Sequence, residues 1–478
     1  MFQHFRTNAF LVWSCAVIVS TAGLLSAQPA AKQAEWTVLV FMNGDNNLEQ
    51  DALINFEQMA RIGSTEQVNI VVQFDRSPKY VRTNPVDWSQ TLRFRITRNM
   101  EPQPKEALSD LGELNMGDGK VLGDFVKWGL DKYPAKKSFL IIWDHGQGYR
   151  LFLNSLLERH RTILASRGFP RTDNLASIRA ASVGLRSAEG IASADQTTAP
   201  FRSAPGDPYR SASNDETNKD VLYNKEIIDA LKSSLNGRKL DLIGFDACLM
   251  AMVETVYGLR DQANVFVGSE ELEPGLGWKY DDFMSRLLAH PEMDGAALAT
   301  AVVESYRAVY NRPEMLDQKG DETTLSAYRL GGAKDLADSV SKLSDALVAN
   351  MNTELPNITA ARAATSVYAP MYQFYHVDLV QFLSELARRS KNAAIVAQSN
   401  AIVKLVSAAI IARHAGAKRQ GSYGSYGLAI YFPASLHEYT DDPYAEGGYD
   451  KGNQLFPVDF VQNQRWADFL HAYWQRVP

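Results

Sequence analysis

The segment LIGFDACLMAMVE, residues 242–254, combines the sequence patterns of a buried strand and of a helix around one cysteine. Residues 242–245 form a short apolar run, which predicts a buried β-strand. Apolar residues then recur at helical spacing, at Leu249, Met252, Val253 and Val256. Cys248 is therefore predicted to lie where a strand ends and a helix begins, the position at which an open α/β sheet forms its ligand crevice. A helix N-terminus also stabilises a thiolate, the nucleophilic form of cysteine.

The alternative for Cys248 is a structural role, because cysteine is among the residues most often fully buried. The chain contains two cysteines, Cys15 and Cys248. Residues 1–27 have the features of a secretory signal peptide, with a basic residue near the start, an apolar run and Ala27 at the cleavage position. Removal of this segment leaves Cys248 without an intramolecular disulfide partner. A single cysteine in an exported protein favours intermolecular pairing or a reactive thiol.

The composition is that of an ordinary globular protein, with 45% hydrophobic and 22% charged residues among 478. A net charge of −6 and a pI near 5.8 give no sign of a nucleic-acid partner. No segment after the predicted signal peptide has the uninterrupted apolar length of a membrane span. We therefore expect an exported soluble protein, periplasmic or extracellular, whose oligomeric state the sequence leaves open.

Buried strands and helices alternate along the chain. Apolar runs rich in β-branched residues predict buried strands at residues 36–42, 68–74, 138–143 and 264–268. Helical periodicity between them, as at residues 48–62, predicts the connecting helices. Residues 92–97 alternate between apolar and polar, which predicts a half-exposed strand at the edge of the sheet. This order predicts an α/β fold with a mainly parallel, doubly wound sheet.

His145 is predicted to lie beside Cys248. It follows the buried strand of residues 138–143 and precedes Gly146. Because neighbouring parallel strands end at the same edge of a sheet, both side chains could face one crevice. Histidine moves protons near neutral pH, and cysteine paired with histidine forms an activated nucleophile. The backbone N–H groups of Gly146 and Cys248 could then form an oxyanion hole. The alternative for His145 is a structural hydrogen-bonding role.

Residues 150–218 differ in composition from the rest of the chain. They are rich in Ser, Ala, Gly and Arg, contain nine Arg and no Lys, and show little periodicity beyond about residue 164. Such a long aperiodic segment inside a domain is typically a functional loop or a disordered insertion. We therefore predict one domain, formed by residues 28–149 and 219–478, that this insertion interrupts.

Six segments together resemble the clostripain family of cysteine peptidases, which is related to caspases, legumain and gingipains. They follow the family's order over nearly the whole predicted mature chain: WTVLVFMNGDNNLE (36–49), LGELNMGD (111–118), LIIWDHGQG (140–148), IGFDACLMAMVE (243–254), GSEELEPGLGWKYDDF (268–283) and GLAIYFPAS (427–435). The resemblance implies a caspase-like fold, a three-layer α/β/α sandwich with a mainly parallel six-stranded central sheet.

The resemblance also implies roles for the residues at the sheet edge. Cys248 would be the nucleophile of a Cys–His dyad, and His145 the general base or acid. Asp246 would lie in the S1 pocket and pair with a basic P1 side chain, since a carboxylate can hold a guanidinium bidentately. The alternative for Asp246 is an N-cap of the following helix.

The acidic loop of residues 269–278 would form another wall of the pocket. Its substrate-binding candidates are Glu270, Glu271 and Trp278, and Glu273 could add negative potential. The sequence does not show which glutamate reaches the substrate, and solvated side chains are the alternative.

The family pattern further implies cleavage between the histidine and cysteine segments, where the Arg-rich insertion lies. An enzyme with a basic P1 preference could cleave its own chain after the arginines of this insertion. The candidate processing sites are Arg167, Arg171, Arg179, Arg186, Arg202 and Arg210. The alternatives are an uncut disordered insertion and a loop that caps the site.

We therefore predict an exported cysteine endopeptidase that hydrolyses peptide or protein substrates after Arg, or after Arg and Lys. The alternatives are a peptide transpeptidase or ligase on the same dyad, and an inactive peptide-binding relative. We identify no metal ligands and no required cofactor. A structural calcium remains possible, because some relatives need calcium and the loops carry many carboxylates, although no EF-hand pattern is present.

Overall fold

A mainly parallel sheet lies between two layers of helices in the computed structural model of the protein. The structure describes residues 33–79, 88–146, 212–370, 374–421, 424–442, 449–451 and 457–477. The predicted signal peptide, the predicted processing arginines and most of the predicted insertion lie outside these ranges. The last residues of the predicted insertion, 212–218, are described, and Ala212 to Asp215 are buried in the folded body.

Thirteen strands occur in the described residues. They are β1 Ala34–Gly44, β2 Val68–Arg76, β3 Leu92–Arg95, β4 Ser109–Asp110, β5 Ala135–Trp143, β6 Asn214–Asp215, β7 Asp220–Val221, β8 Leu240–Asp246, β9 Ala263–Gly268, β10 Thr324–Arg329, β11 His376–Asp378, β12 Ile410–Ala415 and β13 Ala429–Tyr431.

Thirteen α-helices are described. They are α1 Glu49–Ile62, α2 Gly119–Lys132, α3 Asn224–Leu235, α4 Val253–Leu259, α5 Tyr280–Ala289, α6 Gly295–Tyr310, α7 Ala333–Ala349, α8 Met351–Ala363, α9 Leu379–Arg389, α10 Ala393–Ala409, α11 Leu436–Asp441, α12 Asp459–Asn463 and α13 Trp466–Trp474. Short 3-10 helices lie at Pro104–Glu106, Pro313–Gln318, Gly320–Glu322, Leu330–Gly332 and Ala417–Arg419.

The central sheet has nine described strands in the order β12-β10-β9-β8-β5-β1-β2-β3-β4. The five strands from β9 to β2 run parallel to one another. Short antiparallel strands extend both edges, with β3 and β4 beyond β2, and β10 and β12 beyond β9. The predicted α/β fold with a mainly parallel sheet is confirmed, but the sheet has nine strands rather than six because of these extensions.

Successive residues of the central strands enter two separate hydrophobic cores. On β5, Leu140 and Ile142 pack on one face with helices α2, α3 and α4. Phe139 and Ile141 pack on the other face with α1, α5 and α6. Because both faces are covered, these strands appear in the sequence as continuous apolar runs rather than as alternating patterns.

The prediction that the strand at the sheet edge is half exposed is wrong, because three of the four residues of β3 are buried. Arg93 is only 9% exposed. Its Nε donates to Gln73 Oε1 at 2.8 Å, and its guanidinium lies 4.5 Å from the ring centre of Trp128. Arg93 is therefore buried and hydrogen bonded at a position that the alternation of apolar and polar residues predicts to be exposed to solvent.

Residues 34–478 form one compact unit. Among the described residues, the helices are too short or too polar to cross a membrane.

Truncation of a central strand residue tests the role of the sheet. We expect Ile141→Ala to lower the free energy of unfolding by about 2–5 kcal/mol, because Ile141 is fully buried and its loss leaves a cavity. Denaturant unfolding followed by tryptophan fluorescence measures this change. Leu108→Ala is the control, since Leu108 is 42% exposed. Equal losses in the two variants would contradict the assignment of Ile141 to the core.

Candidate active site

Cys248 lies in a turn between β8 and α4, not at the start of a helix, so that prediction is wrong. β8 ends at Asp246, and α4 begins five residues after the cysteine, with Met252 as its N-cap residue. The backbone N–H of Ala251 donates at 2.8 Å to a carbonyl in the loop after β9, and Leu249 has a φ of 60°. This hydrogen bond, a second one from the N–H of Leu249 to the carbonyl of Glu271 at 3.2 Å, and this backbone conformation replace the helix that the apolar spacing predicts. They also exclude the N-cap alternative for Asp246.

His145 and Cys248 lie at the same edge of the sheet. β5 and β8 are parallel neighbours, with Trp143 opposite Asp246 at their carboxyl ends. The backbones are so close beyond these residues that a Cβ on Gly146 would lie 2.1 Å from the carbonyl oxygen of Cys248. Only glycine fits there. Cys248 is 5% and His145 7% exposed, so both side chains are largely covered.

The acidic loop of residues 269–278 lies over the thiol. The backbone N–H of Glu273 donates to Cys248 Sγ at 3.1 Å. Hydrogen bonds to a thiolate favour its charged form, so this contact suits a nucleophilic sulfur. The same contact covers the sulfur from one side.

Asn47 orients the imidazole of His145. Its Oδ1 lies 2.8 Å from Nε2 of the ring. Leu48, and not Asn47, is the N-cap residue of α1, and Asn46 Oδ1 accepts the backbone N–H of Leu48 at 2.8 Å. The asparagine side chain is thus directed to the histidine instead.

The buried carboxylate of Asp144 holds the backbone around His145. Its Oδ1 accepts from the amide of Asn46 at 2.8 Å and from the backbone N–H of His145. Its Oδ2 accepts from the amide of Asn43 at 3.1 Å and from the backbone N–H of Asn214. One carboxylate therefore connects the end of β1, the end of β5 and the last residues of the predicted insertion.

Asp246 lies beneath the acidic loop as a fully buried carboxylate. Its Oδ2 accepts from the backbone N–H of Trp278 at 3.2 Å and from the hydroxyl of Tyr280 at 2.9 Å. Gly277 has a φ of 55°, and a Cβ there would lie 2.5 Å from Asp246 Oδ1. The ring of Trp278 is buried against Gly244 of the sheet, so this candidate contacts Asp246 through its backbone.

The first two glutamates of the acidic loop bind other parts of the chain. Glu270 accepts from the hydroxyl of Tyr368 and from the backbone N–H of Gly427, both at 2.9 Å. Glu271 forms an ion pair with Arg419. Burial raises the pKa of Glu270 well above its ordinary value. Both candidate carboxylates therefore bind other segments of the chain and hold the acidic loop in place.

The third glutamate of the loop lies with Asp246 and Cys248 around a buried tyrosine. Glu273 and Tyr306 are both fully buried. Burial raises the pKa of Tyr306 well above its ordinary value, and the charges of Glu273, Asp246 and Cys248 raise it further. Glu273, Asp246 and Tyr306 therefore form one buried, acidic group next to the thiol.

Four further carboxylates form a second polar group at the same edge, which we call the acidic cluster: Asp45, Asp75, Glu113 and Asp215. One carboxylate oxygen from each lies within 4.8 Å of the others. Asp45 lies between Asn43 and Asn46, both of which bind Asp144. No short sequence motif predicts this cluster, because its members come from four separate segments.

The sequence model of the clostripain family matches residues 40–160 and 205–474, ranges that include His145 and Cys248. Clostripain from Hathewaya histolytica is 27% identical over 274 residues, which is 54% of this chain and 43% of that protein. In this match the chain therefore spans less than half the length of its relative.

Two solved structures share the fold. One is a secreted C11 cysteine protease from Bacteroides thetaiotaomicron in complex with an irreversible peptide inhibitor, with a TM-score of 0.55, 18% identity, and coverage of 84% of this chain and 93% of that chain. The other is an inactive zymogen C11 protease from Parabacteroides distasonis, with a TM-score of 0.55, 16% identity, and coverage of 93% and 99%. The predicted caspase-like fold class is thereby confirmed. On the family match over most of its length, this chain belongs to the clostripain family of cysteine peptidases.

Proposed function

We propose that this protein is an exported cysteine endopeptidase that hydrolyses peptide bonds after Arg, or after Arg and Lys. The observation that carries the proposal is the close approach of the β5 and β8 ends at Gly146. This approach brings an imidazole and a thiol to one edge of the sheet. A Cys–His pair at such an edge is suited to acyl transfer through a thioester.

In the proposed reaction, Cys248 Sγ attacks the carbonyl carbon of the peptide bond. The N–H groups of Gly146 and Cys248 stabilise the oxyanion. His145 transfers the thiol proton to the leaving amine, and the thioester remains. Water then attacks the thioester while His145 accepts its proton, which releases the acid and restores the thiol. Because Asn47 holds Nε2 of the ring, we assign the proton transfers to Nδ1.

Two buried carboxylates support a preference for a basic P1 side chain. Asp246 and Glu273 are both fully buried near Cys248. A guanidinium or ammonium group would offset their charge, and the low dielectric would strengthen the pairing. We propose Glu273 as the acidic-loop partner of Asp246, since Glu270 and Glu271 bind Tyr368 and Arg419.

Self-processing within residues 150–218 remains part of the proposal. In the intact chain the thiol is 5% exposed and the acidic loop covers it, a state that fits an uncleaved precursor. The relative from Parabacteroides distasonis was solved as an inactive zymogen, which supports this interpretation. The candidate arginines of the insertion lie outside the described residues.

Export is proposed from the signal-peptide pattern of residues 1–27. The relative from Bacteroides thetaiotaomicron is a secreted protease, which agrees with this proposal.

A thiol-reactive peptide ketone ending in Arg tests the proposed chemistry. We expect the wild-type chain to carry the covalent peptide on Cys248, located by peptide mass mapping, and the Cys248→Ala chain to carry none. We also expect Cys248→Ala to remain uncut in the insertion, which N-terminal sequencing will show. A ketone ending in citrulline, the neutral isostere of Arg, is the control reagent. Absence of label on wild type would favour a binding module, and identical fragments from both chains would exclude self-processing.

Asn47→Ala tests the orientation of the imidazole. We expect kcat to fall on the order of 10- to 100-fold with KM little changed, because the ring loses its anchor while the binding pocket stays intact. Steady-state kinetics on an Arg-containing peptide measures kcat and KM separately. Asn47→Asp is the matched control, since it keeps an acceptor oxygen and should retain much more of kcat. Equal losses in both variants would speak against a positioning role.

Asp246→Asn tests the basic P1 preference. We expect the ratio of kcat/KM for P1 Arg over P1 citrulline to fall on the order of 100-fold, since losing one partner of a buried charge pair costs about 2 kcal/mol or more. Glu273→Gln should lower the same ratio. Asp282→Asn, on the surface of the next helix, is the control. A ratio unchanged in both pocket variants would refute this pocket assignment.

A further inference from the structure

Backbone carbonyls on both sides of Glu270 bind the turn that carries Cys248. The carbonyls of Ser269 and Glu271 accept hydrogen bonds from N–H groups of this turn at 2.8 and 3.2 Å. The acidic loop therefore holds the segment around the nucleophilic sulfur, and any contact that fixes the side chain of Glu270 also fixes this part of the site.

The carboxyl group of Glu270 lies beside that of Asp378 in the interior. The two side chains are 2% and 0% exposed. The N–H of Gly427 donates to Glu270 Oε2 at 2.9 Å, and the N–H of Tyr426 donates to Asp378 Oδ2 at 2.5 Å. Because these donors are consecutive in the chain, the two carboxyl groups are neighbours. A hydrogen bond also joins them to each other.

A hydrogen bond between two carboxyl groups requires that one of them carries a proton, because an ionised carboxylate only accepts. Burial raises the pKa of Glu270 well above its ordinary value, and the charge of Asp378 raises it further. Burial also raises the pKa of Asp378, to about 6. The proton therefore belongs on Glu270 at neutral pH, and Asp378 accepts it as a hydrogen bond.

The charged groups around this pair leave it with one negative charge. Arg419 acts on Glu270 but forms its ion pair with Glu271. Arg413 favours the charged form of Asp378, while its Nη1 donates to a backbone carbonyl at 2.5 Å. The hydroxyl of Tyr368, 2.9 Å from Glu270 Oε1, stays neutral because burial raises its pKa well above its ordinary value. One proton on two carboxyl groups gives the single charge that these cations favour.

We propose that Glu270 and Asp378 share one proton, and that this pair is a positioning element for the acidic loop. Its hydrogen bonds connect the loop to the start of α9, where Asp378 is the N-cap residue, and to the chain before β13. Loss of the proton leaves two adjacent buried carboxylates that repel each other, so the loop detaches from this support. The consequence for substrate binding rests on the proposed function, whereas the shared proton does not.

Thermal unfolding of the Cys248→Ala chain at pH 6 and pH 9 tests the shared proton without any need for activity. A carboxyl group whose pKa is raised in the folded state stabilises the fold at low pH, and this stabilisation is lost as the pH rises through the raised pKa. Glu270→Gln offers Asp378 an amide donor at every pH. We therefore expect the fall in Tm between pH 6 and pH 9 to be smaller in this variant by about 2 °C or more.

A double variant shows whether one proton serves both groups. Asp378→Asn keeps an acceptor oxygen for the N-cap of α9, and its amide can donate to the carboxylate of Glu270, so it should also reduce the fall in Tm. With a shared proton, the chain that carries both changes reduces the fall no more than the stronger single change does. Glu314→Gln, at an exposed glutamate, is the control and should keep the full fall.

The ratio of two labelling rates at Cys248 tests the positioning role. The peptide ketone ending in Arg needs the acidic loop, whereas iodoacetamide needs only the thiol, so the ratio cancels ionisation of the thiol. We expect the ratio in wild type to fall on the order of 10-fold between pH 6 and pH 9, and in Glu270→Gln by about twofold or less. Titration of His145 affects both chains equally, so their difference reports on the pair.

Several outcomes would overturn the proposal. The shared proton is excluded by an equal fall in Tm in the parent and both single variants, by a double variant whose effect is the sum of the single effects, or by single variants that are already unfolded at pH 6. The positioning role is excluded by the same pH dependence of the labelling ratio in wild type and Glu270→Gln.

Failure of the peptidase proposal gives a different result, namely no labelling of any chain by the ketone. The iodoacetamide rate then decides on the loop, since it should rise more steeply with pH in wild type than in Glu270→Gln. The comparison of Tm values decides on the proton in either case.

Discussion

The carboxylate of Asp144 is the interaction on which the candidate site depends. It is buried, and its two oxygens accept hydrogen bonds from side chains at the end of β1 and from the backbone N–H groups of His145 and Asn214. A buried charge is tolerated when donors surround it in this way, and it then holds those donors rigidly. The position of the histidine is therefore coupled to the docking of the last residues of the insertion.

Acidic groups are concentrated at the carboxyl edge of the sheet. Parallel strands bring the segments that follow them to one place, and here those segments are rich in Asp, Asn and Glu. Amide N–H groups donate hydrogen bonds to Asp144, whereas Asp246 and Glu273 lie around a buried tyrosine beside the thiol. An edge of this kind is electrostatically suited to cationic ligands.

The sequence predicted the features that depend on local pattern and failed on those that depend on tertiary contact. The continuous apolar runs identified the central strands because both faces of the sheet are covered. The prediction of a helix directly after Cys248 is wrong because hydrogen bonds from the backbone N–H groups of Leu249 and Ala251 to a distant loop override the apolar spacing. Glu270, Glu271 and Glu273 are chemically alike in the sequence, and only the fold gives them different partners. The acidic cluster could not be predicted from the sequence, because no short motif contains its members.

The position of the insertion in the topology determines what cleavage of the chain within it would produce. Residues 147–211 lie in the connection between β5 and β8, and these two strands are hydrogen bonded to each other in the middle of the sheet. Each hydrophobic core takes residues from both sides of this gap, such as Leu140 with Ile243 and Phe139 with Leu242. Two polypeptides produced by a cut there would remain a non-covalent heterodimer, because dissociation would expose both cores at once. Neither polypeptide would carry a complete folding unit, so separated fragments would have to reassociate in order to fold.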